Sequence, residues 1–336
     1  MIRPNEALKR LLERRDLSRA ETEELFGRLM DGELSEAMKA ALLVALKMKG
    51  EAPPEIAGAA AAMRRRVIRI PHRLEGVVDT CGTGGDGKGT FNISTAAALV
   101  AAAAGAPIAK HGNRSVSSRS GSADVLAALG VAIDLEPEAA GRALETLGIA
   151  FLFAPRLHPA MKEVMPVRRE LGVRTLFNVL GPLTNPAAAR RQVMGVYAAE
   201  LVPVIAEVLA ALGADHALVV HGDDGLDELT TTGPSRVAEV RDGRVKSYEI
   251  DARNLGVPRA RPEDLAGGSP EDNAELLRRV LAGEAGPLAD ITALNAAAAL
   301  YVGGRAPNLG AGLDQAREAI ASGAAARKLN QLVEFR

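Results

Sequence analysis

The 336-residue chain predicts an α/β protein, with a small all-helical domain ahead of a larger α/β domain built on a mostly parallel central sheet. Three observations predict it. Residues 1–70 carry helix signals and no strand signals. After Pro71, short β-branched or apolar runs alternate with helical stretches, the pattern of a parallel sheet covered by helices. Residues 158–186 then break the alternation with prolines and helix signals alone. The helical domain of residues 1–70 is therefore expected to be completed by 158–188, leaving 71–157 and 189–336 as the α/β domain.

Each element has its own signal. Ser18-Arg19-Ala20-Glu21 is a capping box, in which the serine oxygen and the glutamate each satisfy a free amide at a helix start. Leu25, Leu29 and Met30 follow at helical spacing. Ser35 caps the next helix, whose apolar face is Met38, Leu42, Leu43 and Leu46 and whose stop is Gly50. Pro53-Pro54 opens another, running into Arg64-Arg65-Arg66; this basic run is expected to be a solvated helix end beside the negative dipole pole rather than a phosphate contact. Strands are predicted at 77–78, 107–109, 149–153, 193–196 and 217–220, and a hairpin over 237–250 that turns at Asp242-Gly243. Helices return at 272–281, 291–301 and 313–320.

Composition narrows the function. Lys and Arg number 41 against 42 Asp and Glu, so the chain lacks the basic excess of a dedicated nucleic-acid binder. A single cysteine, Cys81, cannot form an internal disulfide and points to a reducing compartment. Residues 1–6 have no apolar run behind them, so no signal peptide is expected. The longest apolar stretch, 96–109, contains Pro107 and is too short to span a membrane. A soluble, cytoplasmic protein with no nucleic-acid or membrane partner is expected.

The loop 79–90, Asp-Thr-Cys-Gly-Thr-Gly-Gly-Asp-Gly-Lys-Gly-Thr, follows the first strand, and its glycines let backbone amides approach an anion. It is neither of two familiar motifs. A dinucleotide site needs an acid about 20 residues further on, yet no carboxylate follows Asp86 until Asp124. A P-loop needs Ser or Thr after its lysine, and Gly89 follows Lys88. The next helix starts late, at Asn92-Ile93-Ser94-Thr95, whose polar groups can cap it and offer oxygens to a ligand. The second strand leads into Lys110-His111-Gly112-Asn113-Arg114-Ser115-Val116-Ser117-Ser118, then Ser120, Gly121, Ser122 and Asp124. Two cations and several hydroxyls at a strand-to-helix junction suit a doubly phosphorylated ligand. The fifth predicted strand ends in His221-Gly222-Asp223-Asp224-Gly225-Leu226-Asp227-Glu228. Oxygen-only ligands of this kind favour a hard cation such as magnesium; Asp223 and Asp224 suit a polar turn equally well. Zinc is not expected, because Cys81 stands alone and no two histidines have ligand spacing. His111 and His158 are placed in loops near the site, as positioning or packing groups.

Together these motifs, with His158-Pro159-Ala160-Met161-Lys162 and the segment 174–186 (Arg-Thr-Leu-Phe-Asn-Val-Leu-Gly-Pro-Leu-Thr-Asn-Pro), resemble in order the motif set of the anthranilate phosphoribosyltransferases, over essentially the whole chain. The resemblance implies the fold of the nucleoside phosphorylase/phosphoribosyltransferase type, with the site at the hinge between domains and a homodimer formed through the small helical domain. It implies transfer of the phosphoribosyl group of phosphoribosyl pyrophosphate (PRPP) to the amine of anthranilate, a step of tryptophan biosynthesis that releases pyrophosphate. On the same ground Gly82, Gly85, Asp86, Thr90, Asn92, Ile93, Ser94, Thr95, residues 110–118 and Ser122 would contact PRPP. Gly82, Asn113 and Arg168 would bind anthranilate, while Ser94, Asp227 and Glu228 would hold Mg2+. No single residue is implied as a catalytic acid or base. A nucleoside phosphorylase would share the two-domain plan without the Asn113/Arg168 pair and the Asp-Glu metal site. A non-catalytic nucleic-acid-binding relative would have lost the loop residues.

Overall fold

A computed structural model describes residues 2–115 and 119–336. Seven strands form one sheet in the order β3-β2-β1-β4-β5-β6-β7: β1 (Val78–Asp79), β2 (Ile108–Gly112), β3 (Ile149–Phe153), β4 (Arg191–Gly195), β5 (His216–Gly222), β6 (Pro234–Arg241) and β7 (Arg244–Asp251). Strands β1 to β5 are parallel, whereas β6 and β7 are antiparallel. All five predicted parallel strands are present, and the β6–β7 turn falls at Asp242-Gly243, both with positive φ (50° and 75°).

Both faces of the parallel part are covered, which is why its strands are apolar on successive residues. Val78, Ile108, Ile149, Val193 and Leu218 face a core shared with helices Ile93–Ala103, Pro270–Leu281, Pro287–Val302, Leu309–Ala321 and Ala324–Glu334. The alternate residues Met194, Ala217 and Val219 face helix Leu201–Ala211, and that core continues into the N-terminal helices through Leu25, Phe26, Leu42, Leu46 and Ile56. The last helix, Ala324–Glu334, had no separate sequence signal.

The N-terminal helices are Pro4–Leu12, Arg19–Met30, Glu36–Lys49 and Pro53–Arg64. The Ser18 capping box forms, and Ser35 accepts from the Met38 amide at 3.3 Å. Residues 158–186 contain only short helices, and Val164, Val167, Phe177 and Leu180 belong to the same buried cluster as the N-terminal helices. The arginine run is solvated only in part, with Arg65 exposed and Arg64 and Arg66 half-buried. Arg64 donates to the carbonyls of Leu183 (2.7 Å) and Leu212 (3.3 Å). Arg65 pairs with Glu23 and Arg66 with Asp31. Arg64 turns to neighbouring chain because the Leu183 and Leu212 carbonyls reach the helix end. Among the described residues no helix is long and apolar enough to cross a membrane.

Candidate active site

The chain runs from β1 outward to β3, then starts β4 on the other side of β1. Ligands of open α/β sheets bind beyond the carboxyl ends of the strands at such a reversal, and the glycine-rich loop lies there. The Thr83 amide donates to Gly195 O at the end of β4 (2.9 Å), and Thr83 Oγ1 accepts from the Tyr197 amide (3.1 Å). Gly84, Gly85, Gly87 and Gly89 all have positive φ, a backbone that side chains oppose. The far end of the loop is closed by a segment the sequence did not single out. Phe91 donates to Leu265 O, Gly267 donates to Gly89 O, and Thr90 bridges Ala266.

The acidic turn is seated on this loop. Gly84 N–H donates to Asp227 Oδ2 at 2.7 Å. A Cβ on Gly195 would lie 1.5 Å from Asp227 O, so the turn reaches the strand end only because that residue is glycine. Asp86 lies beside Asp227, and Ser94 beside Glu228. Burial first, then the neighbouring charge (Asp86 on Asp227, Asp227 on Glu228), raises both carboxyls above the usual range, with Lys110 opposing the rise at Glu228. Three carboxylates and a hydroxyl, all oxygen, form a donor set suited to a hard divalent cation that would relieve their repulsion. Asp224 is consumed by its turn, accepting from the Leu226 amide (3.1 Å), Thr230 Oγ1 (2.6 Å) and Thr232 Oγ1. Asp223 faces Arg236 at 3.5 Å. The polar-turn alternative is the one realised for this pair.

Lys110 is buried, its Nζ donating to Thr80 O (3.3 Å), Thr80 Oγ1 (3.4 Å) and Ser94 Oγ (3.2 Å). Asn113 and Arg114 are exposed; Arg114 pairs with Asp124 at 3.0 Å. Asp124 also accepts from the amides of Ser115 (2.9 Å) and Gly121 (3.0 Å), which folds the loop back on itself. Ser122 Oγ donates to Asn113 O, and a Cβ on Gly112 would lie 2.3 Å from that hydroxyl oxygen. Val116, Ser117 and Ser118 lie outside the described residues.

Several expectations change. Asn92 occupies the cap position of helix Ile93–Ala103 without capping it. Its amide instead donates to Ser120 O (3.2 Å) and accepts from Asn273 Nδ2 (2.9 Å), so it ties the two loops to helix Pro270–Leu281. Ile93 and Thr95 turn their side chains into the core, and their amides donate to Phe91 O and Asn92 O. His111 lies within β2 and His158 follows a short helix, so neither stands in an open loop. Their buried rings meet Nε2 to Nε2 at 3.1 Å. Burial pushes His111 down to about 3 and His158 to about 4, holding both neutral. Cys81 has neighbours its spacing does not reveal: Asp79, Cys81 and His111 offer ligand atoms within 4.8 Å of one another. The Asp79 oxygens are already engaged, by the His111 amide (3.1 Å) and Asn185 Nδ2 (2.7 Å), and burial pushes the Cys81 thiol up, so this trio is a packed floor.

Arg168, on helix Met165–Leu171, places its guanidinium 5.6 Å from the Phe177 ring centroid. Burial lowers its pKa, and no carboxylate pairs with it among the described residues. The neighbouring Arg169 is exposed. Arg174, on the same segment, stacks 4.2 Å from the Tyr197 ring centroid and donates to Gly85 O, joining the segment to the glycine loop.

Comparison with known proteins places this arrangement. Residues 5–67 match the helical bundle domain, and residues 74–326 the a/b domain, of a glycosyl transferase family. The chain is 56% identical over 327 residues to the anthranilate phosphoribosyltransferase of Anaeromyxobacter dehalogenans (97% of each chain) and 52% identical to that of Symbiobacterium thermophilum (98% of this chain, 96% of the relative). The crystal structure of the Thermus thermophilus enzyme is similar with a TM-score of 0.93 at 51% identity, covering 98% of both chains. The Saccharomyces cerevisiae enzyme in complex with PRPP and Mg is similar with a TM-score of 0.88 at 28% identity, covering 99% of this chain and 97% of that one. A fold with its reversal point under a glycine loop, an oxygen-only acidic turn and near-full-length likeness at this identity lead to one conclusion: the chain belongs to the anthranilate phosphoribosyltransferase family.

Proposed function

We propose that the protein transfers the 5-phosphoribosyl group of PRPP to the amine of anthranilate, with inversion at the anomeric carbon, giving N-(5-phosphoribosyl)anthranilate and pyrophosphate. The observation that carries this reading is the contact of Gly84 with Asp227, which joins an anion-binding loop to a cation-binding turn at the sheet's reversal point. The loop amides of 82–90, Thr90, residues 92–95 and residues 110–115 with Ser122 surround the donor. Ser94, Asp227 and Glu228 hold Mg2+, with Asp86 beside them; bound there, the ion stabilises charge on the departing pyrophosphate. The similar Saccharomyces cerevisiae enzyme, solved in complex with PRPP and Mg, supports the choice of ligands.

Arg168, a fork-shaped donor without a carboxylate partner among the described residues, takes the carboxylate of anthranilate, with Asn113 and Gly82 bordering the same pocket. The aryl amine is neutral at pH 7, so attack needs no strong base, which agrees with a site whose histidines are neutral and paired with each other. Catalysis is then alignment and electrostatic stabilisation of a cation-like anomeric centre. The helical unit of 1–70 is completed by 158–188, and closure across the hinge excludes water. The working form is a cytoplasmic homodimer formed through the small helical domain. Anthranilate fluorescence tests the function: it should fall on addition of PRPP and Mg2+. Unchanged fluorescence, together with Mg2+-independent phosphorolysis of a pyrimidine nucleoside, would assign the chain to the other chemistry.

A further inference from the structure

β1 and β2 pair only at Val78↔Ile108, whereas β2 stays paired with β3 as far as Gly112↔Phe153. Beyond Val78 the two strands splay, and both ligand loops leave from that splay. No backbone ladder fixes the distance between them. Side chains fill the gap instead. Asp79, fully buried, accepts the His111 amide on Oδ1 (3.1 Å) and Asn185 Nδ2 on Oδ2 (2.7 Å). Asn185, itself buried, also donates to Ala109 O (2.8 Å) and accepts from the Ala187 amide (2.8 Å). Both carboxylate oxygens and all the amide's roles toward β1, β2 and its own turn are thereby assigned. Asn185 comes from the segment that precedes β4, so it fastens that segment to the β1 and β2 ends in one step.

We propose that Asp79 and Asn185 are positioning residues that set the spacing of the two donor-binding loops. This rests on the reading of those loops given above, which wild-type turnover tests separately. The pairing allows no amide flip. In Asp79→Asn, the new NH2 faces either Asn185 Nδ2 or the His111 amide, donor against donor. Turning Asn185 to compensate sets its oxygen against Ala109 O and its NH2 against the Ala187 amide. In Asn185→Asp, a carboxylate faces both Asp79 and Ala109 O. The reciprocal double variant, Asp79→Asn with Asn185→Asp, restores the central bond. The amide introduced on β1 then donates to the carboxylate introduced before β4 and accepts from the His111 backbone; the defect that remains is that this carboxylate still faces Ala109 O, whose bond is lost.

The test is steady-state kinetics of the full-length enzyme, with melting temperature recorded for each variant. Either single substitution should raise KM for PRPP about tenfold or more, the scale of a lost hydrogen bond to a charged group, while KM for anthranilate changes far less. The double variant should recover part of the loss. An unchanged KM for PRPP in a folded single variant, or a double variant worse than both singles, overturns the proposal. If Asp79→Asn does not fold, Asn185→Ser, which keeps a hydroxyl donor, is read by the same KM comparison. A set in which no variant folds assigns the pair to stability alone and equally overturns it.

Discussion

At the scale of single residues, the site divides into groups with neighbours that consume them and groups without. Arg168 is of the second kind, so Arg168→Ala should raise KM for anthranilate by a factor corresponding to about 1.5–3 kcal/mol, with little change for PRPP; equal effects on both substrates would speak against the acceptor role. Replacing Asp227 and Glu228 together by Ala should weaken turnover and flatten its Mg2+ dependence, which a Mg2+ titration of initial rates measures directly. The histidine pair has a signed consequence for stability. Both rings stay neutral in the fold down to about 3 and 4, but in the unfolded chain they take up protons near pH 6.5. The unfolded state therefore binds more protons below about pH 6.5, and stability falls with pH by at most about 1.4 kcal/mol per unit for each ring until the folded values are reached. His158→Asn should lose part of that slope in thermal melts between pH 6.5 and 4; an identical slope would show that the ring is not held neutral. Loop composition made the anion-binding character of 79–90 and 110–124 readable in the sequence, whereas Asp227 and Glu228 were singled out by the family resemblance. Asn185 and Arg174 gained no role there, because their partners, Asp79 and Gly85, lie far away along the chain. Asn92 looked like a cap for the same reason, since Ser120 and Asn273 compete for its amide only once the chain is folded.

At the scale of elements, periodicity and turn chemistry were readable wherever the determinant is local. The Ser18 box, the Asp242-Gly243 turn and the five parallel strands follow from short stretches of side chains. The partners of Arg64 were not legible, because the carbonyls of Leu183 and Leu212 reach the helix end from elsewhere. Close approaches mark where elements tolerate no added atoms. Gly58 lets helix Pro53–Arg64 lie against helix Arg19–Met30, and a Cβ there would come 2.4 Å from Arg19 O. Gly58→Ala should cost about 1–3 kcal/mol by overpacking, seen as a lower denaturation midpoint at unchanged KM values; a midpoint equal to wild type would show that the helices can part freely.

At the scale of the whole molecule, the sequence separated helical from α/β segments, and the fold then placed two loops and an acidic turn around one reversal point. Leu12 and Met48 are among the exposed large apolar side chains, 68% and 73% accessible, on two N-terminal helices that pack together. A second copy covering them would complete the proposed dimer. Sedimentation should show a dimer that Leu12→Lys with Met48→Lys weakens; a wild-type monomer at every concentration contradicts it. The central claim is that the loops leaving β1 and β2 embrace the donor together. A crystal structure of the enzyme with PRPP and Mg2+ tests it most directly. The account predicts the donor's phosphoryl groups between residues 82–90 and 110–118, with the metal at Asp227 and Glu228; donor bound elsewhere, with those loops empty at saturating PRPP, would contradict it.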